Sequence, residues 1–316
     1  MMRIQVETYY FYIFTKISGM KTSIFLIALL VYTNSIWCQA NSSQVYLCQF
    51  FVSDQTIKLT DPKMISEELG YNNQPYFESD DTVLYAGTRN GQTDIVRYTV
   101  SEDSRQWLTN TKGSEYSPQL IPDQELIAAI RLETSGEQFL AAYTSSGAYA
   151  STLVSDPIVG YQVWVNVNEM YSAILVDEGL SLAKHDFNSK SLEVLDTNIG
   201  RSLHLQPLGE DGSHVSNHIT YVSKKELPNQ IIGLNLSDNL SKLIVETLEG
   251  SEDFCWTPWG QIIMGQGSLL YVFDPSAEDS WVLLHDMSPY GLTNITRITV
   301  SPSGQYISFV AEQSTN

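Results

Sequence analysis

The sequence predicts an all-β fold, a six-bladed β-propeller built from four-stranded blades. Three observations predict it. Short apolar, strand-like runs divided by polar turns recur in sets of four. The first runs of successive sets lie 41 to 51 residues apart. The last set is two strands short, and two unassigned strand-like runs stand near the N-terminal end.

The elements follow in order. The first full copy holds Gln74-Pro75-Tyr76-Phe77, a turn at Ser79-Asp80-Asp81, then Val83-Leu84-Tyr85-Ala86, Ile95-Val96-Arg97-Tyr98 and Gln106-Trp107-Leu108. The second has strands around residues 117–120, 126–130, 139–143 and 152–153. The third has 163–165, 172–175, 180–183 and 192–195. The fourth has 203–205, 219–222, 231–234 and 243–245. The fifth has 254–256, 262–264, 269–273 and 281–284. The sixth supplies only 298–300 and 306–310, and residues 45–50 and 56–59 are expected to complete it as third and fourth strands. Joining the chain ends in one sheet closes the ring and removes open edges, which template aggregation. A four-stranded sheet cannot bury both faces alone; radial stacking against two neighbours does. Helical periodicity after residue 60 is confined to a candidate turn at residues 64–69.

One column of residues sets the register. Phe77, Leu120, Trp164, Leu205, Trp256 and Val300 stand at equivalent first-strand positions. Three residues earlier in each copy stand Gln74, Ser117, Tyr161, Ser202, Asp253 and Arg297, polar in every case. Propellers bind ligands where the loops before the innermost strands converge on the channel. These six are therefore the candidate ligand-binding residues, with Tyr161, Asp253 and Arg297 as the expected contacts. The plainer reading is that strand entrances are polar because they meet water.

The first forty residues read as separate from the fold. Met20-Lys21, an apolar run over residues 24–32 and a polar stretch ending at Ala40 have the layout of a secretory signal. The nineteen residues before Met20 read as an upstream extension of the start. The bulky Trp37 directly before Cys38 fits a lipid-attachment site poorly. The expected organisation is thus residues 1–40 removed and residues 41–316 as one propeller, periplasmic or secreted, without a membrane span.

The net charge is −19. Residues 1–40 hold Arg3, Lys16 and Lys21 against Glu7, so the remainder carries 14 basic and 35 acidic residues, net −21. That balance argues against nucleic acid and anionic membranes as partners. It suits a monomer held apart by self-repulsion, and is compatible with a basic partner or a cation. Cys48 and Cys255 lie in apolar runs of different blades and strand ranks, and are expected to be free buried thiols.

Other candidate chemistry is sparse. His214 and His218 are four apart, but His214 lies in a Gly/Ser/Asp-rich turn, which favours solvated loop residues over metal ligands. Asp80-Asp81 reads as turn chemistry. Residues 209–213 form the better oxygen-rich calcium candidate, without the spacing of a helix-loop-helix calcium loop. The sequence carries no nucleophile elbow, phosphate loop or zinc motif. No metal site and no cofactor are expected.

The run Gln74-Pro75-Tyr76-Phe77-Glu78-Ser79-Asp80-Asp81, followed by Leu84-Tyr85-Ala86-Gly87-Thr88-Arg89-Asn90-Gly91-Gln92-Thr93-Asp94-Ile95, resembles a TolB-type, WD40-like (PD40) repeat. That family's turn, typically Ser-Pro-Asp-Gly, reads Thr257-Pro258-Trp259-Gly260 in the fifth copy and Ser301-Pro302-Ser303-Gly304 in the sixth, and is lost from the third and fourth. The resemblance covers about residues 45–312. It implies a six-bladed propeller, usually exported in bacteria, here expected without the N-terminal α/β domain of TolB. It is nearly silent on function. The expected role is a non-catalytic binding scaffold of the cell envelope presenting its mouth to a protein or glycan; the alternative is a propeller lyase or hydrolase with a site in the channel.

Overall fold

A computed structural model describes residues 42–314, apart from 54–55, 68, 178, 208–216 and 278. The proposed signal segment, the calcium candidate at 209–213 and His214 lie outside the described residues. Strands dominate, arranged in six antiparallel sheets around a ring. Blade one comprises Asn73–Ser79, Thr82–Arg89, Gln92–Thr99 and Ser104–Trp107, from the inside outwards. Blades two to five repeat that order, with innermost strands Ser114–Leu120, Val159–Asn166, Ile199–Leu205 and Phe254–Trp256.

Blade six is made by both ends of the chain. Its inner strands are Leu292–Val300 and Tyr306–Gln313, and the third is Ser43–Ser53. Val45 pairs with Val310, Leu47 with Ser308 and Gln49 with Tyr306. The expected closure of the ring is observed in this register.

The outer edge of Ser43–Ser53 is divided between two partners. Residues 50–53 pair with Thr56–Leu59, while Tyr46 and Leu47 pair with Lys63–Met64. Of the helical turn expected at residues 64–69, Met64 instead ends the short strand Lys63–Met64, and residues 65–67 are not helical. Fully buried Ile65 accounts for the difference, because it packs into the cluster between blades six and one and pairs with the N-terminal strand instead of closing a helical turn. Its amide donates to Val45 O at 2.8 Å, and its carbonyl accepts from Tyr85 Oη and Arg105 Nε.

The core is divided among six apolar clusters, each filling one gap between neighbouring blades. Strand alternation produces this. Successive side chains point to opposite faces, so Val45 and Leu47 pack on blade one, while Tyr46, Cys48 and Phe50 pack on blade five. Inner and middle strands are buried on both faces, whereas the outermost strand of blade three, Ser191–Thr197, is largely exposed. Cys48 and Cys255 share the cluster between blades five and six, yet remain unlinked and buried. Burial pushes the Cys48 thiol up to about 12 and raises that of Cys255 as well. No helix among the described residues is long and apolar enough to cross a membrane.

Candidate functional site

The innermost strands are irregular where they enter the sheet. Their pairing with the second strand shifts between Asn73 and Tyr76, Tyr116 and Gln119, Ile199 and Leu203, and Thr296 and Thr299. Gln74, Ser117, Ser202 and Arg297 fall inside these irregularities. Gln74, Ser117 and Arg297 also hold left-handed backbone, at φ of 57°, 50° and 50°. Each such residue carries roughly 1–2 kcal/mol of strain. Bulges of this kind re-aim a side chain. In blade three the shift falls one residue before Tyr161, and in blade five Asp253 directly precedes the strand.

The structure brings all six residues together. Gln74, Ser117, Tyr161, Ser202, Asp253 and Arg297 line one cavity of about 410 Å³ at the centre of the ring. Several also stitch neighbouring blades. Ser117 N donates to Gln74 Oε1 at 2.9 Å. Gln162 Nε2 donates to Ser117 O at 3.1 Å, and Gln119 Nε2 to Gln162 O at 2.8 Å. Ser202 Oγ donates to Phe254 O and accepts from Phe254 N, at 3.2 and 3.3 Å. Ser117 Oγ is buried with no hydrogen-bond partner among the described residues.

A charged cluster occupies the mouth. Arg201 grips Asp253 with a two-pronged fork, with Nε at 3.0 Å from Oδ1 and Nη2 on Oδ2. Arg201 also lies 3.4 Å from Glu252, which is itself 3.4 Å from Lys224. Burial works against the Arg201 charge, but the Asp253 and Glu252 carboxylates outweigh it and hold the guanidinium charged more firmly than usual. Arg297 Nε also approaches Asp253, at 3.6 Å from Oδ1. Its guanidinium lies 4.7 Å from the Tyr161 ring centre, with Nη2 donating to Tyr161 Oη at 3.1 Å. Blades three and six stand opposite each other, so this contact spans the channel. Tyr71 and Tyr116 pack edge to face beside it, at 5.6 Å. Burial pushes the Tyr71 hydroxyl up to about 12, with Arg297 opposing.

His204 completes the lining. It is half-buried, with its ring 4.7 Å from Phe254 and Nε2 3.0 Å from Ser202 Oγ. Desolvation pulls its pKa down to about 4, so it is neutral at pH 7. Sequence reasoning missed Arg201, His204, Tyr71 and Tyr116. Arg201 was the most accessible of these, because it immediately precedes Ser202 in the same bulge. Asp80 and Asp81 are structural. Asp80 Oδ1 accepts from Ser303 N, tying blade one to blade six, and Asp81 accepts from Ser101 N and Oγ. No cluster of three or more His, Cys, Asp or Glu converges among the described residues.

No family model and no curated protein sequence matches the chain. Solved structures do. TolB from Acinetobacter baumannii superposes with a TM-score of 0.53 at 11% identity, over 86% of this chain and 65% of that one. The chain thus spans just under two thirds of that TolB. A putative TolB from Agrobacterium tumefaciens gives 0.61 at 12% identity, over 87% and 100% of the respective chains. A chain of the nidogen/laminin complex gives 0.55 at 12% identity, over 76% and 92%. The chain has the propeller fold of these structures.

Proposed function

We propose that the protein is an exported, non-catalytic binding scaffold of the cell envelope, periplasmic or secreted, acting as a monomer through its channel mouth. The observation that carries this reading is convergence. One polar side chain from each blade reaches a single cavity, and three of the six are held there by strained backbone. Strain of this kind persists where surrounding structure over-determines it, as at ligand clamps. The partner is a protein or a glycan. Propellers of the same fold occur in TolB proteins and in the nidogen/laminin complex, which is a protein assembly.

Two observations favour binding over the lyase or hydrolase alternative. The Asp253 carboxylate is engaged by two arginines. The Ser202 hydroxyl is engaged by the Phe254 backbone. A general acid or base must reach a substrate proton, and these groups face protein partners instead.

The test is affinity capture from an envelope fraction, with the wild-type chain beside the double variant Tyr161→Ala, Arg297→Ala. The expected result is a partner retained by the first and lost by the second at unchanged melting temperature. Equal capture by both would remove the mouth from the proposal. Fractionation checks export, and native chain retained unprocessed in the cytoplasm would refute it.

A further inference from the structure

The charge of the mouth runs against that of the molecule. The whole chain carries −19. The charged residues lining the cavity are Arg201, Arg297 and Asp253, a local balance of +1. Adding the neighbouring ion pair of Glu252 with Lys224 leaves that balance unchanged. Together the two guanidiniums offer ten N–H donors, of which Asp253, Glu252 and Tyr161 engage only part. One further anionic group would neutralise the cluster. A polyanion would meet the acidic surface on approach; a small molecule with a single negative charge would not be held off to the same degree.

The rest of the wall describes the body attached to that charge. Gln74 presents an amide to the cavity, and among the described residues the buried Ser117 Oγ has no partner. A buried hydroxyl without a partner is unusual, and rotation of the Ser117 side chain into the channel would let a ligand hydroxyl satisfy it. Trp164 and Trp256 add apolar surface. The volume, about 410 Å³, falls in the range of small-molecule sites.

We propose that the channel mouth takes a small hydroxylated monocarboxylate, its carboxylate held by the N–H donors of Arg201 and Arg297 that Asp253, Glu252 and Tyr161 leave unused, and a hydroxyl against Ser117. Planar guanidinium forks match carboxylates, whereas an uncharged sugar would leave the excess charge in place. This inference rests on the binding reading above and adds a small-molecule ligand at the same mouth.

The test is a fluorescence titration read from the two cavity tryptophans, with D-glucuronate and D-gluconate as probes and D-glucose and sulfate as controls. The expected result is a saturable one-to-one response to at least one acid and none to glucose or sulfate at equal concentration. The stronger acid shows whether the site takes a ring or an open chain. In Arg297→Gln the affinity falls about tenfold or more, and Arg297→Lys keeps part of it. Melting curves of both variants check folding; if the Gln variant melts early, the Lys variant decides, and full affinity there overturns the fork. Three results overturn the inference: no saturable response to either acid, an equal response to glucose or sulfate, or unchanged affinity in Arg297→Gln. Any of these, with partner capture still dependent on Tyr161 and Arg297, sinks the ligand class and leaves the binding scaffold standing.

Discussion

Phe309 tests whether closure of the ring holds the whole molecule. It sits on the second strand of blade six, is 0% exposed, and stacks on Tyr46 with ring centres 5.8 Å apart. Tyr46 lies on the N-terminal strand, so this contact joins the two ends of the chain through side chains as well as backbone. Phe309→Ala removes a ring from a cluster formed by blades five and six. Such truncations cost about 3–5 kcal/mol, a large part of the total of roughly 5–15 kcal/mol typical of native proteins. At about 2 °C per kcal/mol for a chain this size, melting should fall by about 6–10 °C. The control is Phe51→Ala on the same blade, where the side chain is 47% exposed and the expected effect is within about 0.5 kcal/mol. Calorimetry of both variants is the assay. Because each blade is buried only by its neighbours, the Phe309 variant should still melt in one transition, at lower temperature. A two-step melt with an early, separate loss of blade six would refute the closure argument. So would equal effects of the two substitutions.

Acid should destabilise the fold through two histidines. Desolvation lowers His185 and His204 from 6.5 to about 4, so the unfolded chain binds protons more readily between those values. Stability is therefore full above about pH 6.5 and is lost as pH falls towards 4, by up to about 1.4 kcal/mol per unit for each group; urea titrations of His185→Gln and His204→Gln should show a shallower slope over that window, and an unchanged slope would contradict it. Ser117→Gly should relieve a left-handed residue at φ 50° and raise stability by about 1 kcal/mol, read as a higher urea midpoint; a lower midpoint would mean that the bulge carries little strain.

The site was partly legible from a simple count. Stepping back three residues from the apolar first-strand column reached six residues that share one cavity, because equivalent positions in a radial repeat meet at the axis. Arg201 escaped that count by one position. The bulge in blade four turns two successive residues, Arg201 and Ser202, towards the channel. Tyr71 escaped because it precedes the first strand, and Tyr116 because it stands one residue before the counted position. His204 escaped because a lone histidine in a strand carries no signal until its neighbours are known.

The sequence by itself determined the blade count, the strand order within blades and the closure by residues 45–50 beside 306–310. Those features rest on strand alternation, turn residues and a repeat near 44 residues, all local in the chain. Tertiary structure decided the rest. It divided the outer edge of blade six between residues 56–59 and 63–64, because Ile65 had a hydrophobic gap to fill on blade one. It placed Cys48 and Cys255 in one cluster although 207 positions separate them. It also set Asp253 between Arg201 and Arg297, and Arg297 across the channel on Tyr161. These contacts join residues of different blades, and their geometry follows from the curvature of the ring and the strained entries of its inner strands, which no local pattern encodes.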